Sequence, residues 1–421
     1  MDENRPEAEA EAFVEIEQSN LPSETEAPVQ EAPAKAPGSD SGPKAGSGKK
    51  KRNYSKKLKR ILAAILTVLL VVLAVLVFVF RNALTAENLR QTFGKASSVA
   101  PARDAFTYET GAEQLFASAG NGLAVASGSS VQLLDAKGQT VFKQVVSFES
   151  PTVFASGDRA LFCDLSGTGC IVADTDGESR VLTGERKILT AHMNSASWFT
   201  LVTAEPGYKG LVSVYNSDCE KQYEWWSGTG YVLQATVSPD NRYLAVLTVE
   251  KEGSVVRFFA LNSETEQARI DFPDQLLYDL RYMDNSNLCA VGEPGLFFLT
   301  REGKRTGEYP LDGQYLLDYT VGTDLVAAFY SSYRSGAGGS LVTLDRNGTV
   351  LGTAALERDV LSMSVNGKQL LVMTGGGLTL YDDALVRQYS NETLMTARQA
   401  ILRPEGDILL CSAYAAERFR F

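Results

Sequence analysis

Short apolar runs recur along this chain at a steady beat. They are GLAVAS (122–127), ALFCD (160–164), WFTLVT (198–203), YLAVLTV (243–249), LCAVG (288–292), LVAAFY (325–330), LLVMTG (370–375) and ILLCSAY (408–414). Each is too short for an ordinary helix and apolar at nearly every position, the pattern of a strand covered on both faces. Turn clusters such as SPDNR (238–242), MDNSN (283–287), NGKQ (366–369) and RPEGD (403–407) precede several of them. After each of the first seven, a further apolar run stops at a turn-forming position: Asp135, Asp174, Asn216, Asn262, Arg301, Asp345 and Asp382, in steps of 39, 42, 46, 39, 44 and 37 residues. A self-similar period near 40 in a β-rich chain is the signature of a propeller, one four-stranded sheet per repeat. The pattern predicts an all-β, eight-bladed β-propeller over residues 103–421. Merging two weak repeats into one gives seven blades, the alternative.

The last repeat is cut short. The next turn position falls about one period after Asp382, where the chain stops at Phe421. The eighth blade therefore has three strands of its own. The stretch AFTYET (105–110), rich in aromatic and β-branched residues, is the expected fourth. Paired with the final residues, it makes a composite closing blade and leaves no long exposed sheet edge.

Ahead of the repeats the pattern changes character. Residues 61–80, ILAAILTVLLVVLAVLVFVF, contain no charge. As a helix they span about 30 Å, the thickness of a bilayer's hydrocarbon core. Lys49, Lys50, Lys51, Arg52, Lys56, Lys57, Lys59 and Arg60 crowd the N-terminal flank, whereas the other flank offers Arg81 and then no base until Arg90. That asymmetry predicts an uncleaved, single-pass signal anchor in a plasma membrane, N-terminus cytoplasmic and repeats outside. Residues 1–48 are rich in Glu, Ala, Pro, Ser and Gly and read as a disordered acidic tail. In residues 81–102, LTAENLRQTFG (84–94) reads as a short helix, with Thr85 as N-cap and Gly94 as its stop, followed by a linker.

Charge divides along the same boundaries. Residues 1–48 carry 11 acids and 3 bases, residues 49–60 carry 8 bases, and the remainder carries 40 acids and 29 bases, net −11. An acidic repeat region lacks the basic footprint that nucleic acid requires. The basic cluster beside the apolar span is expected to rest on anionic lipid.

The chemistry of catalysis is thinly represented. One histidine, His192, serves the whole chain, so three-histidine metal sites cannot form and every Ser-His or Cys-His arrangement would have to use it. Its context, TAHMNSAS, favours a structural role. No metal, cofactor or catalytic group is assigned. The five cysteines lack zinc-type CxxC spacing. Cys163 and Cys170 flank DLSGTG, a hairpin turn, and are read either as small buried hydrophobes or as a cross-strand disulfide.

Candidate binding residues follow from connectivity. In an up-and-down blade, the turn between strands 2 and 3 and the link to the next blade share one end of the ring. Residues 203–210, 249–254 and 330–340 read as long loops at that end, and YEWWSGTGY (223–231) links the third repeat to the fourth. Loops on a rigid scaffold carry binding, and Trp and Tyr are favoured anchors. Tyr208, Lys209, Tyr223, Trp225, Trp226, Tyr231, Tyr333 and Arg334 form the candidate face. In a strand, adjacent Trp225 and Trp226 face opposite ways, so one of them is expected to pack between blades.

SPDNRYLAV (238–246) resembles the strand entry of WD-repeat and TolB-like propellers, and VYNSDCEKQYEWW (214–226) is similar to a quinoprotein-type repeat. The layout of acidic tail, basic stop, single span and propeller resembles an uncharacterised family of bacterial membrane-anchored proteins, a domain of unknown function frequent in clostridia. The resemblance implies a single-pass membrane protein and brings no catalytic residues. Two functions are in view: a non-catalytic, membrane-tethered scaffold or sensor binding an extracytoplasmic protein or cell-wall ligand, and a hydrolase or lyase acting on envelope carbohydrate at the ring's axis. The closing strand enters from the end opposite the loop-rich face, which is expected to point away from the bilayer. Cysteines placed at Lys209 and Tyr333 should then react with a membrane-impermeant maleimide on intact cells; protection of both by the bilayer would reverse the orientation.

Overall fold

The computed structural model describes residues 105–334, 338–392 and 396–420. The acidic tail, basic cluster, apolar span, short helix and linker all lie outside the described residues. Those that are described belong to one compact unit, Lys95–Phe421. They form eight four-stranded antiparallel sheets and no helix.

Blades 1 to 7 take their strands in chain order. The eight apolar runs are the second strands, beginning with Gly122–Ala126 and Arg159–Asp164 and ending with Ile408–Cys411. Second strands are buried along most of their length because each is covered by the blades on either side. Fourth strands alternate instead, as Glu266–Pro273 does, since only one side meets protein. Eight apolar clusters fill the seams between adjacent blades. One joins Ala245, Leu247 and Phe258 of blade 4 to Leu277, Leu288 and Phe297 of blade 5.

The repeating turn has a single physical cause at five of its seven positions. Asp135 Oδ1 accepts backbone N–H bonds from Lys137 at 2.8 Å and Gln139 at 2.9 Å. Asp174, Asn216, Asp345 and Asp382 accept the same pair of bonds, two and four residues on. This is an Asx turn, which the short carboxylate or amide reaches and a longer side chain does not. The turn also requires a left-handed residue three positions on. At Gly138 φ is +78°, and an added Cβ would meet Phe106, on the neighbouring blade, at 3.3 Å. Gly348, with φ +81°, would press a Cβ onto the Phe298 ring at 2.6 Å. The turn thus shapes its own blade and seats it against the previous one.

Blade 8 is composite, as expected. Gln399–Leu402, Ile408–Cys411 and Ala415–Phe419 come from the end of the chain, and Ala105–Thr107 supplies the fourth strand. The pairing is shorter than the sequence suggests: Ala105 with Glu417, Phe106 with Ala416 and Thr107 with Ala415. The Tyr108 N–H adds a bond to the Tyr414 carbonyl at 3.2 Å. Around this short ladder Phe106, Tyr108, Phe116, Leu123, Leu134, Leu409 and Ala416 form one cluster.

A buried ionic joint reinforces it. Arg403 is fully buried and Asp407 nearly so. The Arg403 Nε donates to Asp407 Oδ1 at 2.9 Å, and its terminal nitrogens reach Asp407 and the Asn121 carbonyl of blade 1. Arg418 donates to the same carboxylate from the third strand. Burial by itself would raise the Asp407 carboxyl, but the bonds from both arginines outweigh it and hold the group below the ordinary carboxylate range. A depressed folded pKa adds stability that is present above about pH 4 and is lost as pH falls below it. Asp407→Ala leaves Arg403 buried without its counter-ion. It should cost about 3–5 kcal/mol in denaturant unfolding, far more than the loss of an exposed pair such as Arg269–Asp271.

Candidate interaction surface

Strand direction gives the ring two unlike ends. First strands begin, and the turns between strands 2 and 3 lie, at what we call the entry end. The turns between strands 1 and 2 and between strands 3 and 4 lie at the opposite end, which is also where the chain joins the ring at Ala105. Among the described residues sixteen large apolar side chains are exposed, and twelve of them fall at the entry end. Leu115, Leu189, Tyr231, Tyr278, Tyr315 and Leu361 sit at the starts of first strands, Val145 and Trp226 at the ends of fourth strands, and Tyr208, Leu276, Tyr333 and Tyr414 in the connections. Val350, Leu351 and Val386 lie at the other end, and Val181 lies mid-strand.

A repeated backbone irregularity contributes three of these side chains. In blades 3 to 7 the first strand skips register once, between Ile188 and Thr190, Val232 and Gln234, Leu277 and Asp279, Leu316 and Asp318, and Val360 and Ser362. Each skip is a β-bulge, which leaves one residue unpaired and re-aims its side chain. The bulged residues are Leu189, Leu233, Tyr278, Leu317 and Leu361. Leu189, Tyr278 and Leu361 are turned to solvent at 46%, 41% and 51% exposure, whereas Leu233 and Leu317 pack onto the seams. Sequence reading missed this set. Its signal is an apolar doublet followed by a polar residue, as in Leu277-Tyr278-Asp279, which breaks the alternation expected of a strand.

The candidate residues divide into two groups. Tyr208, Lys209, Trp226 and Tyr231 come together at the seam of blades 3 and 4. The Lys209 N–H bonds the Ser227 carbonyl at 2.7 Å, and its ammonium lies 4.7 Å from the Tyr231 ring centre, a cation–π contact. At blade 6, Tyr333 is exposed and the Arg334 guanidinium lies 5.0 Å from the Tyr315 ring. Tyr223 is buried and Trp225 half-buried. They lie on one face of their strand, two residues apart, and pack on Phe259 of blade 4 at 6.4 and 5.2 Å. Trp226, facing the other way, is the exposed member of the pair. The expected long loop over 249–254 is corrected: Glu250 pairs with Gly253, so the connection is a two-residue turn and the strands simply run longer. The connection after Thr203 is long, as read from the sequence.

The other concentration of polar groups lies on the first strands, which contact the first strands of neighbouring blades around the axis. The residue after the bulge bonds to the next blade in blades 3, 4, 5 and 7. Thr190 donates to Gln234 at 3.4 Å, Gln234 to Asp279 at 3.2 Å, and Ser362 to the Ala400 carbonyl at 3.2 Å. Asp279 accepts further bonds from the Leu280 N–H, Arg281 Nε and the Tyr319 hydroxyl at 2.9–3.0 Å. Burial opposes its charge, but Arg281 and these donors hold its pKa below the usual value. Asp279 is therefore a strut between blades whose acceptors are all engaged. His192 is buried beside Thr236, with Nδ1 and the hydroxyl 3.1 Å apart. Burial first, and then Arg281, lower its pKa to about 3. Asp318 differs in having only the Tyr319 N–H as donor, and burial raises its pKa to about 6. Cysteine thiols are all free, and no group of metal-ligating side chains occurs among the described residues.

A family model described as "Family of unknown function (DUF5711)" matches residues 101–406. A search of curated proteins finds no match. Among solved structures, a computationally designed protein, Ika8, aligns with TM-score 0.55 at 9% identity, covering 75% of this chain and 98% of its own. The C-terminal WD40 domain of Sif2 aligns with TM-score 0.52 at 12% identity, over 71% and 92%. BamB from Moraxella catarrhalis aligns with TM-score 0.50 at 12% identity, over 75% and 98%. At such identities the likeness is one of fold.

Raised in the folded state, the Asp318 pKa makes this carboxyl a source of instability that grows as pH climbs from about 4 to about 6. Asp318→Asn should raise stability by about 1–2 kcal/mol at pH 7.5 and leave it unchanged at pH 4, as read by thermal melts at the two values.

Proposed function

The chain belongs to the DUF5711 family, whose function is unknown, and we propose that it is a non-catalytic scaffold whose entry end docks a protein partner. The observation that carries this reading is the gathering of exposed apolar side chains at one end of a rigid ring. Soluble surfaces seldom concentrate large apolar groups without a use for them, and contact anchors are typically Trp and Tyr. Trp226 and Tyr231 at the seam of blades 3 and 4, and Tyr315 and Tyr333 on blade 6, have that character. Propellers also serve enzymes, but a hydrolase or lyase at the axis would need carboxylates free to exchange protons with substrate. Asp279, the most buried axial acid, is committed to structural bonds, and Asp318, whose carboxyl is the less engaged of the two, stands without a second acid paired to it by any bond among the described residues.

We place the ring outside the cell, on a membrane tether formed by residues 61–80 with the basic cluster 49–60 on the cytoplasmic side. Support comes from the uncharged apolar span and its one-sided basic flank. The partner is then an envelope protein rather than nucleic acid, in keeping with the acidic balance of the repeats.

Photo-crosslinking in living cells tests the reading. Crosslinking residues at Trp226, Tyr231 and Tyr278 are expected to trap one common partner, while the same residues at Val350 and Val386 trap none. Trp226→Ala with Tyr231→Ala should weaken that complex tenfold or more, about 1.4 kcal/mol or above. Partner capture from the opposite end alone would reverse the assignment.

A further inference from the structure

Blade 2 holds two cysteines in a special relation. Cys163, in strand Arg159–Asp164, is the direct cross-strand partner of Cys170, in strand Gly169–Asp174. Both side chains are buried in the seam with blade 3, beside Leu161, Val172 and Phe199.

The ladder fixes which kind of pair they form. Just beyond its far end, the Thr175 N–H bonds the Asp158 carbonyl at 2.9 Å, so these two residues occupy a hydrogen-bonded position of the same register. Antiparallel ladders alternate bonded and non-bonded positions. Cys163 lies five positions from Asp158, an odd number, so Cys163 and Cys170 face each other at a non-bonded position. There the Cα atoms stand about 4.5 Å apart and the side chains are closest. A disulfide needs Cα atoms roughly 4.4–6.8 Å apart, so the strands need not move to accommodate one.

We infer that Cys163 and Cys170 are an oxidation site that closes into a cross-strand disulfide when the chain folds in the presence of a disulfide oxidant. The step is thiol–disulfide exchange. One cysteine thiolate attacks the oxidant's S–S bond and expels one small thiol. The second cysteine then attacks the mixed disulfide, forming the Cys163–Cys170 bond and expelling the other. The protein loses two electrons and two protons, and the oxidant leaves as two thiols. Cys219 shares the apolar cluster but sits in a turn of blade 3 at the opposite end of the ring. Cys289 and Cys411 belong to other seams.

Burial also sets the timing. Desolvation raises the Cys163 thiol well above its ordinary value, so the reactive thiolate is scarce once the blade is packed. The bond therefore forms while blade 2 is still open, and the finished ring keeps whichever state it acquired. The pair records the redox conditions of folding, a property independent of what the entry end binds.

Cell-free synthesis of the full chain in detergent, with and without oxidised glutathione, tests this. Free thiols are alkylated under denaturing conditions and the digest is mapped by mass spectrometry. With oxidant, the peptides bearing Cys163 and Cys170 should appear joined, lighter by two hydrogens, with Cys219, Cys289 and Cys411 alkylated. Oxidant added after folding of the reduced chain should leave all five alkylated. Cys163→Ser should abolish the joined peptide while leaving the other thiols as before. Recovery of Cys163 and Cys170 as alkylated or glutathione-capped residues after oxidising synthesis, or joined to any other cysteine, overturns the inference.

Discussion

The ring stands on one seam. Seven blades are built from contiguous chain and hold together as hairpins, but the eighth pairs Ala105 with Glu417 and Thr107 with Ala415, residues from opposite ends of the described chain. Three ladder pairs between Ala105–Thr107 and the C-terminal strand would be a weak clasp alone. The apolar cluster around Phe106 and Tyr108 and the buried Arg403–Asp407–Arg418 joint make up the difference. Arg403 matters twice, since it neutralises Asp407 within blade 8 and bonds the Asn121 carbonyl of blade 1. A buried charge with those partners is costly to strand, which ties the eighth blade to the first.

The other seams rest on cheaper means repeated many times. Each has an apolar cluster drawn from two blades, and several receive the left-handed corner of an Asx turn. The turn is local and can form within a single hairpin, while its docking on the previous blade is not. Local order and long-range order thus share residues such as Asp135 and Gly138. Axial struts, chiefly Gln234 and Asp279, add polar links where the first strands crowd together.

The bulges connect architecture to use. An inner strand that kept strict register would aim its apolar residues into the seams at every position. Skipping one residue near the start of the strand frees Leu189, Tyr278 and Leu361 to face solvent and puts a polar residue next in line to brace the neighbouring blade. Surface and scaffold therefore come from the same irregularity. It adds to the chemical difference between the two ends of the ring, where strand ends and connections place further aromatic and aliphatic groups beside Lys209 and Arg334.

Fold class, blade count and the composite last blade were legible in the chain because they depend on periodicity, and periodicity is carried by residue type alone: apolar second strands, Asp or Asn at a turn, a missing strand at one terminus supplied at the other. Trp225 and Trp226 were correctly assigned to opposite faces for the same reason, since alternation is intrinsic to a strand. The candidate surface was only half legible. Tyr223 looked available until its strand was placed against Phe259, and the run at 249–254 read as a loop because nothing local says how far a hairpin extends before it turns. Register decides such matters. It is a relation between two segments, set by packing across a seam, so the bulges, the facing cysteines and the axial braces took shape only once the blades were assembled.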